Sequence, residues 1–452
     1  MINNSLNRVT YVNVVKWWLT GVLLILPFQM TIANTQMLWG NETLAFIRYL
    51  DEITIIVFFP LTIIEFYRKK EIRDWLYLVL SLSLGLIFII SLVSGTINGN
   101  YLYVTVSGAF DYIRNFLIVF IYAAFFREFS DFNKIFRLLL IMAVLIGVVA
   151  FLQELWAITS NYFIEENNQS KLFLILKDIL PDYYQYTQRF GIYRMVSLMH
   201  NSLFLGIYCL FILTIYLYTT ARVRFLVFLT LFSGIFVSVS RMAYIGFIVI
   251  SGLQILRTKG KRTLLILAVF PILILMFKLS FLWDFNISGL IEGGSVFGKN
   301  EDNMISYREY TGDKAMQIWK DHPIWGVGPG MFGGIISVET NSYIYEEYDF
   351  MATSILRTWK HIDQYWPQIL AEIGIIGAAY FAGLFISLFV VLFIARKRTT
   401  SHEMKGLFTG CGAFLIVVLL YSLGSTINIA QIIFPYFAFI GMGLGCLKIN
   451  ST

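Results

Sequence analysis

WLYLVLSLSLGLIFIISLVSGT (75–96) carries no charged residue over its 22 positions. A helix of that length crosses the hydrocarbon core of a bilayer, which needs about 20 apolar residues at a rise of about 1.5 Å each. The stretch does not alternate apolar and polar residues as a membrane barrel strand does. Comparable runs flank it at 17–36, 44–66, 104–125, 138–157, 197–219, 224–239, 242–257, 263–283, 366–394, 406–424 and 430–447. The 452 residues are 58% hydrophobic and 14% charged, against about 45–50% and about 25% in soluble domains. That apolar surplus exceeds what a water-soluble core can bury. The pattern predicts an all-α, polytopic membrane protein of about twelve transmembrane helices. The pair 224–239 and 242–257 is short and joined tightly at Ser240–Arg241.

The basic residues fall in clusters between the runs: RKKEIR (68–73), FREFSDFNKIFR (126–137), ARVR (221–224), RTKGKR (257–262) and ARKRTTSHEMK (395–405). With both termini in the cytoplasm all five clusters are cytoplasmic, as the positive-inside rule requires. The net charge of +6 therefore marks membrane topology and not a nucleic-acid partner. Cys209, Cys411 and Cys446 lie in apolar runs and read as small buried hydrophobes. The first apolar run lacks a small-residue cleavage pattern and reads as a retained span. The outer face then carries a smaller loop at 158–195 and a large extracytoplasmic loop at 284–362. The chain divides into nine spans over 1–283, the large loop at 284–362, and three spans over 363–452. KLFLILKDIL (171–180) in the smaller loop suits a helix lying along the interface.

The large loop holds eleven Asp and Glu against six Lys and Arg. SYREYTGDKAMQIWKDHP (306–323) has a helical pattern that puts Tyr307, Tyr310, Ala315, Ile318 and Trp319 on one face, ended by Pro323. GVGPGMFGG (326–334), with Gly328 at its centre, suits a tight turn with exposed backbone N–H groups. Its GxGxG spacing lacks the strand, helix and lysine of a nucleotide site. No metal-ligand cluster or nucleophile elbow is present.

Arg241 stands at the outer boundary between two apolar runs. A charge there either snorkels to the interface or grips a phosphate through its planar fork. Arg308 on the loop helix, and Arg189 and Arg194 in QRFGIYRMVSLMHN (188–201), lie on the same side. Each reads singly as a solvated or snorkelling charge, and together they suit an anionic headgroup. Asp111 and Arg114 are three residues apart and pair on one face of their span. His361 and Asp363 sit where the large loop meets the tenth span and can accept a proton from a sugar hydroxyl. Glu372, near the start of that span, is expected to face the interior and orient an arginine.

These pieces resemble the O-antigen ligase and polymerase superfamily. The matching residues are RMVSLMHN (194–201), SRMAYIGF (240–247), Arg308 followed by Ala315, Ile318, Pro323 and GVGPGMF (326–332), and DQYWPQILAEIGIIG (363–377). The resemblance implies a GT-C-like helical body in the bacterial inner membrane. It implies an inverting glycosyltransferase that needs no metal and no other cofactor, with an undecaprenyl-pyrophosphate-linked oligosaccharide as donor. Arg241 and Arg308 match the arginines implicated in gripping the pyrophosphate. Ligases of the family show a His-Asn pair where this chain has Asp363-Gln364, so polymerase ranks first, and His361 stands two positions earlier. Besides membrane lipids, a chain-length regulator is a candidate partner. The competing readings are a ligase transferring to a terminal acceptor such as lipid A-core, a polysaccharide transporter or flippase, and a scaffold in a cell-envelope assembly. A transporter would show repeated halves or paired broken helices, and neither is legible.

Overall fold

The computed structural model describes residues 2–34, 47, 49–69, 74–159, 163–164, 169–170, 188–189, 192–193, 195–199, 201–220, 223–257, 307–350, 362, 364–427 and 429–447, with side chains except at 2–10, 30, 33–34, 156–193 and 307–309. Among the described residues the structure is helical apart from two antiparallel ladders of two residues per strand, Phe163–Ile164 with Gln169–Ser170 and Gln188–Arg189 with Ile192–Tyr193. In chain order the body begins with α1 (Ile2–Ile25), a 3-10 turn at Leu26–Phe28 and α2 (Gln29–Asn34). It continues with α3 (Leu50–Lys69), α4 (Trp75–Ile97), α5 (Leu102–Phe125), α6 (Phe129–Thr159), α7 (Ser202–Thr219), α8 (Phe225–Val237) and α9 (Arg241–Arg257). The large loop contributes α10 (Tyr307–Asp321), α11 (Ile335–Glu339) and α12 (Ile344–Glu347). The chain ends with α13 (Tyr365–Arg398), α14 (His402–Ser422) and α15 (Ala430–Gly445).

Among the described residues seven helices, α1, α4, α5, α6, α7, α13 and α14, are long and apolar enough to cross a membrane. The apolar helices α8 and α15 are shorter. The expected span 263–283 and the expected interfacial helix 171–180 lie outside the described residues. The remaining expected spans each coincide with a helix, and the joint at Ser240–Arg241 is a three-residue turn between α8 and α9.

Helix ends follow local chemistry. The Asp74 side chain accepts from Leu76 N at 3.0 Å and caps α4, and Asn201 accepts from Leu203 N at 2.8 Å and caps α7. Asp74 also takes two hydrogen bonds from Arg398 Nη1, at 2.8 and 3.0 Å, so the start of α4 is tied to the end of α13. α7 is buried along almost its whole length, whereas α4 turns Leu82, Leu86 and Ile89 outward. Close packing relies on glycine. A Cβ at Gly441 or Gly445 of α15 would sit 2.3 Å from the carbonyl oxygens of Val119 or Phe126, so no side chain fits between α15 and the C-terminal half of α5.

Several polar groups inside the bundle are paired across helices, as a low-dielectric interior favours. Arg114 contacts Asp111 at 3.3 Å, the pair expected from their spacing, and also hydrogen-bonds Glu52 of α3, a partner that spacing does not reveal. Gln431 donates to Gln29 at 3.4 Å, and Gln29 donates to the buried Asp51 at 3.3 Å.

The bundle has two unlike ends. One gathers Lys16 bonded to Asp131 at 2.6 Å, Arg398 on Asp74, Arg257 over the Tyr218 ring, and Arg68 and Lys69 beside Glu65. The other brings together the end of α4, the start of α5, the end of α6, the starts of α7, α9 and α13, and the end of α14. It is joined by bonds such as Thr31 Oγ1 to Leu198 O at 2.9 Å, Ser197 N to Gln153 Oε1 at 3.1 Å and Trp366 Nε1 to Ser422 Oγ at 2.9 Å. The large loop sits on this second end.

Candidate functional site

The loop has a small core of its own. Ala315 and Ile318 of α10 pack with Val327, Phe332, Ile344, Tyr345, Phe350 and Ile362, and Val104 of α5 and Ala371 of α13 close it from below. The helix expected at 306–323 is present as α10, with Thr311, Ala315 and Ile318 fully buried along one face and Trp319 only half-buried. Beneath this core the glycine-rich segment 323–334, a strap, runs into α13.

Sequence periodicity reads α13 as one span, and the structure breaks it. Gly374 has φ 63° and ψ −168°, a conformation essentially restricted to glycine. In an unbroken helix the N–H groups of Ile375 and Ile376 would bond the carbonyls of Ala371 and Glu372. Here Ile375 N donates to Pro323 O at 2.9 Å and Ile376 N to Ile324 O at 3.4 Å. The freed carbonyls accept from the strap instead: Val327 N to Ala371 O at 2.9 Å and Gly328 N to Glu372 O at 2.7 Å. The strap thus exchanges hydrogen bonds with the opened turn. Irregular backbone at this depth is tolerated because protein surrounds it.

α4 and the turn after it hold the strap from the other side. Ser94 Oγ lies 2.5 Å from Trp325 O and 3.1 Å from Glu372 O. Asn98 Nδ2 donates to Gly326 O at 2.9 Å, and Asn100 Nδ2 donates to Val327 O at 2.7 Å. α5 lies directly against the strap, since a Cβ at Gly108 would fall 2.4 Å from Gly330 N.

Glu372 sits at the centre, 2% exposed. Its carboxylate accepts from Phe332 N at 2.9 Å, from Gly330 N, and from the Tyr112 hydroxyl. The expectation that it orients an arginine is corrected: all three donors are backbone amides or tyrosine. The expected tight turn at 326–334 is present, with Gly326, Gly328, Gly330 and Gly333 at positive φ. Its expected exposed N–H groups are not. The amides of residues 326, 327 and 328 bond the carbonyls of His322, Ala371 and Glu372. Those of 330 and 332 bond the Glu372 carboxylate, that of 333 the Tyr345 hydroxyl and that of 334 Ser337 Oγ. Gly328 therefore serves the architecture of the strap. Tyr345 is buried, and burial raises its phenol to about 12.

Arg241 opens α9, half-buried, immediately after the turn 238–240. Val239 in that turn has φ 46°, a left-handed conformation that is strained for a β-branched residue. The turn is held by Val239 N to Phe236 O at 3.2 Å, Tyr244 N to Ser240 O at 3.0 Å and Tyr244 Oη to Phe236 O at 2.5 Å. Met195 N bonds Val237 O at 3.0 Å, which places the start of the 195–199 segment beside the same turn. Arg241 thus stands at the loop-bearing end of the bundle. The side chains of Arg189, Tyr307 and Arg308 lie outside the described residues, as do Arg194, His361 and Asp363 entirely, although the backbone of Arg308 belongs to α10. Ile362, between His361 and Asp363, is buried and donates its N–H to Gly333 O at 2.8 Å. Among the described residues no three His, Cys, Asp or Glu side chains gather as a metal-ion set.

Sequence reasoning missed Ser94, Asn98, Asn100 and Tyr112. For Asn98 and Asn100 the signal is a short polar turn, INGN (97–100), on the same side as the large loop, while Ser94 and Tyr112 lie within apolar runs that give none.

No curated protein matches the chain. Residues 225–382 match the family model described as O-antigen ligase. The matched segment runs from the first residue of α8 through Arg241, the loop helix and the strap to the half of α13 that contains Glu372 and Gly374. This match, carried on a multi-span helical body, supports a likeness to the O-antigen ligase/polymerase superfamily over that segment.

Proposed function

We propose that the protein polymerises undecaprenyl-pyrophosphate-linked oligosaccharide repeat units into a cell-surface polysaccharide, at the extracytoplasmic face of the bacterial inner membrane. The carrying observation is that Arg241, at a strained turn inside the matched segment, stands at the end of the bundle that bears the large loop and the α10 helix of Arg308. The clustering of Lys and Arg at the opposite end supports a cytoplasmic assignment for that end and for both termini. The body is read as GT-C-like, a membrane scaffold whose reaction centre lies on the outer surface.

In this reading the donor pyrophosphate lies against Arg241 and Arg308, with Arg189 and Arg194 nearby. A hydroxyl of the acceptor glycan attacks the anomeric carbon as the bond to the pyrophosphate oxygen breaks. The bonding pair leaves on the pyrophosphate, where fixed guanidinium groups neutralise it. His361 or Asp363 takes the hydroxyl proton. A single displacement inverts the anomeric configuration. The arginines supply the positive charge at the leaving group, and no cofactor is invoked. Tyr307 and the other loop aromatics suit stacking on sugar rings.

Arg241→Ala, at wild-type membrane levels in cells lacking the chromosomal gene, is expected to lower chain extension by about 10²–10³-fold, the usual cost of one donor to a developing anion. Polymer of normal length from that variant refutes the assignment. The description of the matched family favours a second reading, ligase transfer of the glycan to a terminal acceptor. The two separate by product: a ligase variant leaves long glycan on the lipid carrier, whereas a polymerase variant leaves single repeat units.

A further inference from the structure

We infer that Glu372 is a positioning residue: its carboxylate holds the strap, and through the strap it fixes Ile362, which stands between His361 and Asp363 in the sequence. The inference deepens the glycan-transfer reading and, for its effect on product, rests on it.

Three elements meet at one carboxylate. Tyr112 donates from α5, Phe332 N and Gly330 N donate from the strap, and Glu372 itself stands on the first half of the broken α13. All three donors face a group that is 2% exposed. Phe332 itself and its neighbour Gly333 then bind the start of α13 and Ile362 just before it. Gly333 O accepts from Ile362 N at 2.8 Å, and Phe332 O accepts from Gln368 Nε2 at 3.2 Å. The Ile362 side chain packs on Gly333, where an added Cβ would meet its Cγ1 and Cδ1 at 3.0 Å. Ile362 is the residue between the two candidate proton acceptors. A carboxylate is suited to this task because it presents four lone-pair sites and can accept three bonds at once. It joins the matched segment to α5, which lies outside it.

The hydrogen-bond pattern also separates holding from proton transfer. In Glu372→Gln the amide oxygen still accepts from Phe332 N, and the amide NH₂ can donate to the Tyr112 oxygen. Glu372→Ala removes every acceptor. A residue that acts by holding is rescued by glutamine, and one that acts by exchanging a proton is not.

The test uses the full-length protein in two measurements. Hydrogen exchange of amides 330–333 is followed on purified protein in lipid nanodiscs, and glycan chain length is followed in cells lacking the chromosomal gene, per unit of folded protein. Glu372→Ala is expected to raise exchange at least about tenfold and to lower polymer on the order of 10²-fold, as a displacement near 1 Å does at a reacting centre. Glu372→Gln is expected to return both to within about threefold of wild type, because it keeps the main bonds. Should Glu372→Ala fail to fold, Tyr112→Phe removes one donor of the three and is expected to give intermediate exchange and intermediate product. The inference is overturned if Glu372→Ala leaves exchange unchanged, or if Glu372→Gln keeps the strap protected yet makes as little polymer as alanine. Arg241→Ala run alongside distinguishes the two claims. Normal polymer from that variant removes the glycan-transfer reading while the exchange results still decide what Glu372 holds.

Discussion

Tyr345 stitches the loop core at a single atom. Its hydroxyl accepts from Gly333 N at 3.0 Å and lies 2.6 Å from Ser337 Oγ, and Ser337 is fully buried. Tyr345→Phe keeps the ring and leaves the Gly333 amide without its acceptor. An unsatisfied buried donor costs about 1–3 kcal/mol, so thermal unfolding of the purified variant is expected at a lower temperature than wild type. An unchanged midpoint would show that the bond contributes nothing net. The same phenol sets an alkaline limit. Burial raises it to about 12, so the folded form holds its proton where the unfolded form, near its ordinary value of 10, loses it. The stabilisation is complete below pH 10 and is lost as pH rises towards about 12, because there the unfolded chain binds fewer protons. Residues of this kind show how far a sequence can be read. Glu372 is legible as a charge that must face inward, from its place in an apolar run. Its partners are not, because Tyr112 is 260 positions away and Phe332 and Gly330 offer only backbone.

At the scale of elements, the break in α13 separates what apolar length reveals from what it hides. The spans are visible because an uncharged run of about 20 residues has few other uses. The break is invisible because YWPQILAEIGIIGAAYF (365–381) continues one apolar pattern, and Gly374 is one of two glycines in it. What opens the helix is the strap, a competing set of donors and acceptors from a distant segment. Glycine is then required at two of the contacts. A Cβ at Gly374 would lie 2.3 Å from Ile324 O, and one at Gly326 would lie 2.4 Å from the Glu372 carbonyl carbon. Gly374→Ala therefore meets both a backbone collision and a glycine-only conformation, the latter alone worth about 1–3 kcal/mol. Gly383→Ala in the same helix meets nothing within 4 Å and is expected to be neutral or stabilising by up to about 1 kcal/mol. Comparing the folded yield and unfolding temperature of the two variants checks the break itself. Equal behaviour would mean that α13 passes straight through Gly374.

For the molecule as a whole, function depends on which way the bundle faces. The basic clusters are legible in the sequence because they fall in short polar stretches. The structure gathers Lys16, Arg68, Lys69, Arg257 and Arg398 of those tails and clusters at the end opposite the strap. Glu339, Glu346, Glu347 and Asp349 lie in the loop on the other end. Retention of Lys and Arg on the cytoplasmic side orients such a body, and in the proposed reaction the donor pyrophosphate would meet Arg241 from outside. Cysteine labelling in living cells tests the orientation directly. Cys209 and Cys411 are buried and Cys446 partly so, and replacing all three by alanine gives a silent background. A single cysteine at the exposed Glu346 is expected to react with a membrane-impermeant maleimide in intact cells. One at the exposed His402, at the start of α14, is expected to react only after the membrane is permeabilised. The reverse pattern would put the loop, the strap and Arg241 in the cytosol, where a lipid-linked glycan already carried across the membrane could not reach them, and the proposed reaction would have no substrate.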